Sequence, residues 1–356
     1  MARALQLAEN GLYSTDPNPR VGCVIVNDGN VVGEAWHERA GQPHAEVLAL
    51  NAAGARARGA TAYVSLEPCC HHGRTPPCTT ALIGAGIARV VAAMPDPNPR
   101  VDGQGAAQLS GAGIGVEIGL LEAQARVLNP GFIQRMQYGR PYVRVKQAVS
   151  LDGRSALASG ESKWISGEAA RLDVQRWRAR SSAILTGIGT VLADDPSLTV
   201  RAVELSGRVP LRVVVDSDLR LPTGAKLLTQ PGAVLVVAAN DDNTRATVLR
   251  AAGAEILVLP DADGHVDLIA LLAELARREI NELLVEAGAR LSGALLQARL
   301  VDELIVYLAP HVMGAGALGM FDIPLLTRMS ERVPFTIDEV RAVGADWRIV
   351  AKPTKK

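Results

Sequence analysis

Four residues in the first quarter of the chain combine types and spacing that suit hydrolytic metal chemistry: His44, Glu46, Cys69 and Cys78. Zinc is a borderline-soft ion that binds imidazole nitrogen and thiolate sulfur well. Three such ligands leave a fourth position open, which distinguishes a catalytic site from a closed structural one. Water in that position is acidic enough to supply hydroxide near neutral pH. Hydroxide delivered to a ring carbon that bears an amine displaces ammonia, provided a second group moves the protons. Glu46 suits that task, because it follows His44 by two residues and is a poor partner for a thiolate-rich ion. His44-x-Glu46 alone would be a chance pattern. Joined to Glu67-Pro68-Cys69 and a second cysteine at a helix start, it points to Zn2+ held by His44, Cys69 and Cys78 with Glu46 as the proton carrier.

Two further cysteines need a place. Cys70 adjoins Cys69 and competes with it as a ligand; Cys69 is preferred because it directly follows Pro68. Cys23 alternates with apolar residues and reads as a buried structural thiol. A cysteine-poor chain with a tight cluster fits a reducing, cytoplasmic setting, where such clusters bind metal rather than form disulfides. The pattern resembles the H-x-E…P-C-x-x-C signature of zinc deaminases, with eight residues rather than two between the cysteines.

Composition narrows the target. The 37 basic and 37 acidic residues balance, so there is no net basic field to recruit a polyanion. Aromatics are 3% of residues, too few for a single-strand stacking platform. These facts argue against nucleic acid as substrate or partner. No apolar run is long enough to span a bilayer, and no signal peptide opens the chain. The basic tail 352–356 reads as a solvated end.

The elements that must position these residues form an α/β pattern. Residues 1–10 read as a helix with Gly11 at its C-cap. Residues 21–27 and 31–37 form a hairpin around Asp28-Gly29. Residues 44–58 read as a helix, 61–66 as a strand, and Thr75-Pro76-Pro77 as a helix start with Thr75 as N-cap. That start places Cys78 in a first turn, where the helix dipole favours thiolate. Strands follow at 89–94 and 114–118. Gly139 and Pro141 mark a boundary, giving domains 1–140 and 141–356. The second domain reads as a strand at 142–149 and a helix capped by Ser166 and running to about 180. Strands near 183–185, 211–216, 233–238, 255–259, 282–285 and 303–308 come next, and a last pair flanks 340–344. Asp16-Pro17-Asn18-Pro19-Arg20-Val21 recurs as Asp96-Pro97-Asn98-Pro99-Arg100-Val101. This is either a shared turn type or a pair of substrate loops.

The second half carries weaker signals when each is taken alone. No G-x-G-x-x-G follows a strand, so a Rossmann site is not indicated. Glu286-Ala287-Gly288-Ala289-Arg290 joins a strand to a helix, where glycine permits close backbone approach and free amides receive phosphate. Arg178 and Arg201 alone would be surface charges, and Trp164 a core or rim aromatic.

Longer motifs are more specific. The segments 68–78 (PCCHHGRTPPC), 18–22 (NPRVG), 44–47 (HAEV) and 96–99 (DPNP) resemble the deaminase half of the bifunctional riboflavin-biosynthesis deaminase/reductase family. The segments 150–154 (SLDGR), 160–165 (GESKWI), 192–201 (LADDPSLTVR) and 285–288 (VEAG) resemble its reductase half. The resemblance implies a cytidine-deaminase-like three-layer domain followed by a dihydrofolate-reductase-like α/β domain. It implies deamination of 2,5-diamino-6-(5-phosphoribosylamino)pyrimidin-4(3H)-one, then reduction of the product's ribosyl group to ribityl by NADPH. By position it assigns Asn18, His37, His71 and Arg74 to the first substrate, with Asp96 a further candidate; His72 stays open. It assigns Ala148, Trp164, Thr190, Asp194, Ser217 and the turn Gly288, Ala289, Arg290, Leu291, Ser292, Gly293 and Ala294 to the cofactor. Ser162, Arg178, Leu198, Arg201 and Glu286 are assigned to the second substrate, and Lys146 and Asp152 lie in a strand-end motif near them. Cys70 stands where relatives usually have serine, and the chain opens directly in its first helix where they usually carry a short lead. A homo-oligomer is expected, although no motif encodes it.

Two other readings compete with this one. A deaminase of nucleic-acid bases with an accessory domain conflicts with the charge balance and the cysteine spacing. A structural zinc module fused to a nucleotide-binding domain leaves Glu46 without a task.

Overall fold

The computed structural model describes residues 1–73, 76–205 and 207–354. Two compact units divide between Arg140 and Pro141.

The first unit runs α1 (Ala2–Glu9), β1 (Gly22–Asn27), β2 (Asn30–Trp36), α2 (Ala45–Ala53), β3 (Thr61–Val64), α3 (Cys78–Gly84), β4 (Arg89–Ala92), α4 (Gln104–Gly111), β5 (Gly115–Ile118), α5 (Glu122–Leu128) and α6 (Pro130–Tyr138). Its sheet has the order β2-β1-β3-β4-β5. β1 is antiparallel to β2 and β3, while β3, β4 and β5 are parallel. Asp28 (φ 49°) and Gly29 (φ 77°) make the left-handed turn that closes the β1–β2 hairpin. Alternation along β1 builds three layers. Cys23 and Ile25 join a core with Ala45, Ala49 and Leu82, and Val24 joins Ala4 and Leu7 of α1. Cys23 is fully buried, as its apolar neighbours indicated.

Two glycines allow the helices to lie this close to the sheet. A Cβ on Gly22 would lie 2.0 Å from the Ala4 carbonyl oxygen of α1. A Cβ on Gly33 would lie 2.2 Å from the Ala49 carbonyl oxygen and 2.8 Å from the Ala53 nitrogen of α2.

The second unit runs β6 (Tyr142–Ser150), β7 (Arg154–Ala156), α7 (Glu168–Arg180), β8 (Ala183–Gly187), α8 (Ile188–Asp194), β9 (Leu211–Val215), α9 (Lys226–Thr229), β10 (Val234–Ala238), α10 (Asn243–Ala251), β11 (Ala254–Val258), α11 (Leu268–Arg277), β12 (Glu282–Val285), α12 (Ala289–Gln297), β13 (Glu303–Ala309), β14 (Leu318–Gly319), β15 (Phe335–Val343) and β16 (Asp346–Pro353). The main sheet has nine strands in the order β11-β10-β9-β8-β12-β6-β13-β16-β15. Pairing is parallel from β11 to β13 and antiparallel through β16 and β15. Both faces are apolar, as a covered parallel sheet requires. Val143, Val145, Leu185, Leu283 and Val285 pack on one side, and Ile188, Val214, Val236, Leu284 and Ile305 lie on the other.

Several local expectations change. Gly11 is not a left-handed C-cap; a Cβ there would lie 2.7 Å from the Thr15 methyl, so glycine serves close packing. α2 ends at Gly54 (φ 57°), and residues 54–57 continue as a 3-10 turn. α3 begins at Cys78 with Pro77 as N-cap, and Thr75 lies outside the described residues. Gly167 rather than Ser166 caps α7, its amide donating to Asp346 at 2.7 Å. The last hairpin turns at Gly344-Ala345, so Val340 lies inside β15. Lys352 belongs to β16 and pairs with Asp338, so the basic tail is ordered at its start.

Gly33→Ala is expected to overpack the α2–β2 contact and lower stability by about 1–3 kcal/mol, read as a fall in the unfolding midpoint of the first unit.

Candidate metal and reductase sites

His44, Cys69 and Cys78 converge from three separate elements. His44 precedes α2, Cys69 follows β3, and Cys78 opens α3. Their ligand atoms lie within 4.8 Å of one another. His44 Nδ1 is 3.2 Å from the Cys78 sulfur and 3.5 Å from the Cys69 sulfur. A tetrahedral ion with Zn–S near ~2.3 Å and Zn–N near ~2.0–2.1 Å would hold sulfur and nitrogen roughly 3.5 Å apart. The donor set therefore fits zinc in both chemistry and spacing. Cys70 is not in the cluster; its sulfur faces the Arg100 carbonyl at 3.9 Å.

The electrostatics agree. A hydrogen bond from Cys78, and another from His44, hold the Cys69 thiol down to about 4, while the same bond pushes Cys78 up. The Cys78 amide, at the positive end of α3, donates to the Cys69 sulfur at 3.4 Å. The helix end thus serves Cys69 as well as the residue it begins with, which sequence reasoning did not anticipate. Hydrogen bonding to Cys69 raises His44 against the cost of its burial. Glu46 is 3% exposed, and its Oε2 has no hydrogen-bond partner among the described residues. Burial, helped by the charge on Cys69, raises Glu46 to about 7. A carboxyl poised there can take and return a proton.

The first repeated loop bonds a ring beside this centre, and the second is tied to the segment that carries Cys69. Asn18 Nδ2 is 3.0 Å from His37 Nε2, and His37 Nδ1 lies 3.2 Å from the Pro43 carbonyl. A carbonyl only accepts, so Nδ1 carries the hydrogen and Nε2 accepts from Asn18. Burial lowers His37, in keeping with a neutral ring. That ring meets His44 edge-on, with centroids 5.1 Å apart. In the second loop Asp96 is 6% exposed, and burial raises it to about 7 with help from the charges of Glu67 and Cys69. His71 Nδ1 is buried without a partner among the described residues, His72 is exposed, and Arg74 lies outside the described residues.

In the second unit, β6, β8 and β12 end side by side. Ligands of parallel α/β sheets bind beyond such carboxyl ends, where neighbouring strands diverge in their connections. Glu286 follows β12 and takes two hydrogen bonds from Arg178, at 2.6 and 3.0 Å. Burial alone would raise Glu286; the Arg178 charge, its hydrogen bonds and Lys146 hold it below its ordinary value. Lys146 on β6 is lowered by burial, with Glu286 opposing and Arg178 adding to the shift. Arg178 also donates to the Thr199 carbonyl at 3.0 Å, so its guanidinium is committed, whereas the Arg201 side chain is exposed. Leu198 is buried with φ 48°, a left-handed backbone rare for leucine. Asp152 accepts from Ser150 and from the amides of Met313 and Gly314.

α12 begins at Gly288 with no side-chain cap, which leaves first-turn amides for an anion. Ser292 is fully buried, its hydroxyl bonded to Gln147 and to the Ala287 carbonyl. A Cβ on Gly293 would lie 2.1 Å from the Asp322 carbonyl oxygen, and Leu291 packs beside Gly187. Ala148, Ser162, Thr190, Asp194, Ser217, Ala289 and Ala294 are half-buried, and Arg290 is exposed. Trp164 is 70% exposed with Arg171 over its ring, and Lys163 pairs with Asp194 at 3.3 Å. Sequence reasoning missed Thr186, which donates to the Glu286 carbonyl, and Gln147, which fixes the turn before α12.

A metal-centred deaminase unit followed by a reductase unit is the class these sites define. Residues 1–94 match the cytidine and deoxycytidylate deaminase zinc-binding region, and residues 141–349 match the RibD C-terminal domain. The riboflavin biosynthesis protein RibD of Escherichia coli is 51% identical over 97% of this chain and 96% of its own length. Its counterpart in Haemophilus influenzae is 48% identical over 99% and 96%. The RibD structure from Acinetobacter baumannii superimposes with a TM-score of 0.92 at 48% identity, covering 99% of this chain and 98% of that one. The Thermotoga maritima diaminohydroxyphosphoribosylaminopyrimidine deaminase/5-amino-6-(5-phosphoribosylamino)uracil reductase gives 0.86 at 34%, covering 99% and 97%. The chain belongs to the RibD family of bifunctional deaminase/reductases of riboflavin biosynthesis. Its first unit is cytidine-deaminase-like and its second dihydrofolate-reductase-like.

Cys69→Ser and Cys78→Ser are each expected to lose most bound zinc, whereas Cys70→Ser keeps about one zinc per chain. Metal content of the purified variants checks this, and zinc loss in Cys70→Ser would show that the ligand was misassigned.

Proposed function

We propose that residues 1–140 deaminate 2,5-diamino-6-(5-phosphoribosylamino)pyrimidin-4(3H)-one and that residues 141–356 reduce the ribosyl group of the product to ribityl with NADPH. The observation that carries the first step is the unpartnered Glu46 oxygen beside three zinc donors. Zinc bound by His44, Cys69 and Cys78 supplies an activated water as nucleophile. Glu46 takes the water's first proton and passes it to the ring nitrogen as the C–O bond forms, then takes the second proton from the added hydroxyl and gives it to the amine as the carbonyl forms, the C–N bond breaks and ammonia leaves. Asn18, held by His37, offers its amide to the pyrimidine. His71 and Asp96 line the same pocket, and Arg74 supplies charge for the phosphate.

In the second step NADPH supplies the hydride when bound. Opening the ribosyl ring breaks the bond from the anomeric carbon to the ring oxygen, and that oxygen needs a proton. Lys146 holds that proton, with Glu286 beside it and Arg178 fixing the carboxylate. Arg201 and Ser162 take the substrate phosphate, and Leu198 contributes its backbone. The α12 amides at Gly288–Arg290 receive the cofactor's diphosphate. The rest of that turn through Ala294, with Ala148, Trp164, Thr190, Asp194 and Ser217, completes its site.

We further infer a cytoplasmic homo-oligomer. Four free cysteines suit a reducing compartment. The sheet edge at β15 exposes Ile337 and Val340 beside Trp347, a surface suited to a second copy. Light scattering tests the assembly.

Glu46→Gln is expected to cut ammonia release by about 10²–10⁴-fold while zinc stays bound and NADPH oxidation with the deaminated product is unchanged. A near wild-type rate would remove Glu46 from the mechanism.

Lys146→Met is expected to slow NADPH oxidation by about 10²–10⁴-fold without affecting deamination. The acid form of Lys146 is required, so kcat should fall as pH rises through its pKa, which burial sets below the ordinary lysine value. A pH profile that Lys146→Arg leaves unchanged would assign the proton to another group.

A further inference from the structure

Glu67 lies beyond the end of β3, two residues before Cys69, and is not one of the three metal donors. It is 3% exposed, and both carboxylate oxygens are taken up by backbone amides. Oε2 accepts from Asp96 at 3.1 Å and from Gly103 at 3.1 Å, and Oε1 accepts from Ala106 at 3.0 Å. Its own amide donates to the Met94 carbonyl at 3.0 Å. One side chain therefore grips both ends of the loop 96–103 and the first turn of α4. Hydrogen bonds to an ionised carboxylate are about twice as strong as neutral ones.

A second contact closes the same junction. A Cβ on Gly105 would lie 2.2 Å from the Pro68 carbonyl oxygen, so α4 rests directly on the residue before Cys69. From the other side Thr79 bonds both the Cys69 carbonyl and the Gln108 side chain of α4. The first repeated loop is held quite differently. The Asn129 side chain pairs with the Arg20 amide and carbonyl, at 2.8 and 2.9 Å. The second loop is tied through Glu67 to the segment that carries a zinc ligand.

We propose that Glu67 is a positioning residue for deamination, holding the 96–103 loop so that Asp96 meets the pyrimidine at a fixed distance from the metal. The proposal rests on Asp96 contacting substrate. A carboxylate is required because three donors converge on it. Glutamine would turn an NH2 group toward either the Ala106 amide or the Asp96 and Gly103 amides. Glu67 itself stays away from the reacting atoms, so its loss acts on substrate binding rather than on the chemical step.

The test uses the full-length, zinc-loaded protein with the substitutions Glu67→Ala, Glu67→Gln, Gly105→Ala and Asp96→Asn. Ammonia release gives KM and kcat for the pyrimidine, metal analysis gives zinc content, and NADPH oxidation with the deaminated product serves as a control on the second unit. Glu67→Ala and Gly105→Ala are expected to raise KM roughly tenfold or more while kcat per zinc stays within about threefold, with Glu67→Gln intermediate. Gly105→Ala leaves every charge in place, so a shared KM effect isolates loop position. An Asp96→Asn variant that raises KM beside a Glu67→Ala variant that does not overturns the inference alone. An unmoved KM in Asp96→Asn overturns the reading of Asp96 and the inference with it. A fall in kcat with KM unmoved, with or without zinc loss, shows a merely structural role and also overturns it.

Discussion

Two sulfurs and an imidazole nitrogen held within 4.8 Å of one another form the constraint on which the first unit is built. The hydrogen bond between the two thiols, with His44 beside them, holds Cys69 low and Cys78 high. A divalent ion satisfies all three donors at once, so the arrangement makes sense as a metal site. Meeting that constraint requires the start of α2, the end of β3 and the start of α3 to converge, although 34 residues separate His44 from Cys78. Small residues make the convergence possible. Gly33 lets α2 lie on β2, Gly22 lets α1 lie on β1, and Gly105 lets α4 lie on Pro68. Each is a position where one added carbon would move a ligand or a substrate loop.

The second unit solves a different problem. It has no metal cluster among its described residues and relies on buried charge held in pairs. Arg178 and Glu286 lock each other bidentately beside Lys146. On the same face of the sheet, under α7, Arg144 bridges Glu282 and Glu303, and Tyr307 and Arg348 share Asp173. Buried pairs cost desolvation and often add little net stability. Their value here is orientation. Burial lowers the proton affinity of Lys146, Glu286 opposes the shift, and the Arg178 charge adds to it.

Much of the first site was legible because its chemistry is concentrated in short segments. His44-x-Glu46 and Pro68-Cys69 name their own roles, and preferring Cys69 over Cys70 followed from the adjacent proline. Strand positions in both halves were legible from apolar runs, because a covered parallel sheet needs them. Helix ends were less so. Ser166 looks like a cap, but the Gly167 amide is taken by Asp346, 179 residues away. The same distance effect hid Glu67, Gln147 and Thr186. Each works by binding backbone of another segment, and no local pattern announces such a partner.

The repeated six-residue motif shows how far local sequence determines function. Both copies make turns, and each is tied to a segment next to the metal donors. Their routes differ. Asn18 is tied through His37, a neutral ring that stands edge-on to His44. Asp96 is tied through a backbone fixed by Glu67. A turn motif supplies a shape that points side chains inward; what those side chains touch is decided by the residues that grip the turn from outside. For the first copy that grip comes from Asn129, beyond the sheet strands, and for the second from the residue two positions before Cys69. A shift of the zinc strand end would therefore be felt by Asp96 directly. Asn18 would feel it through the histidine rings.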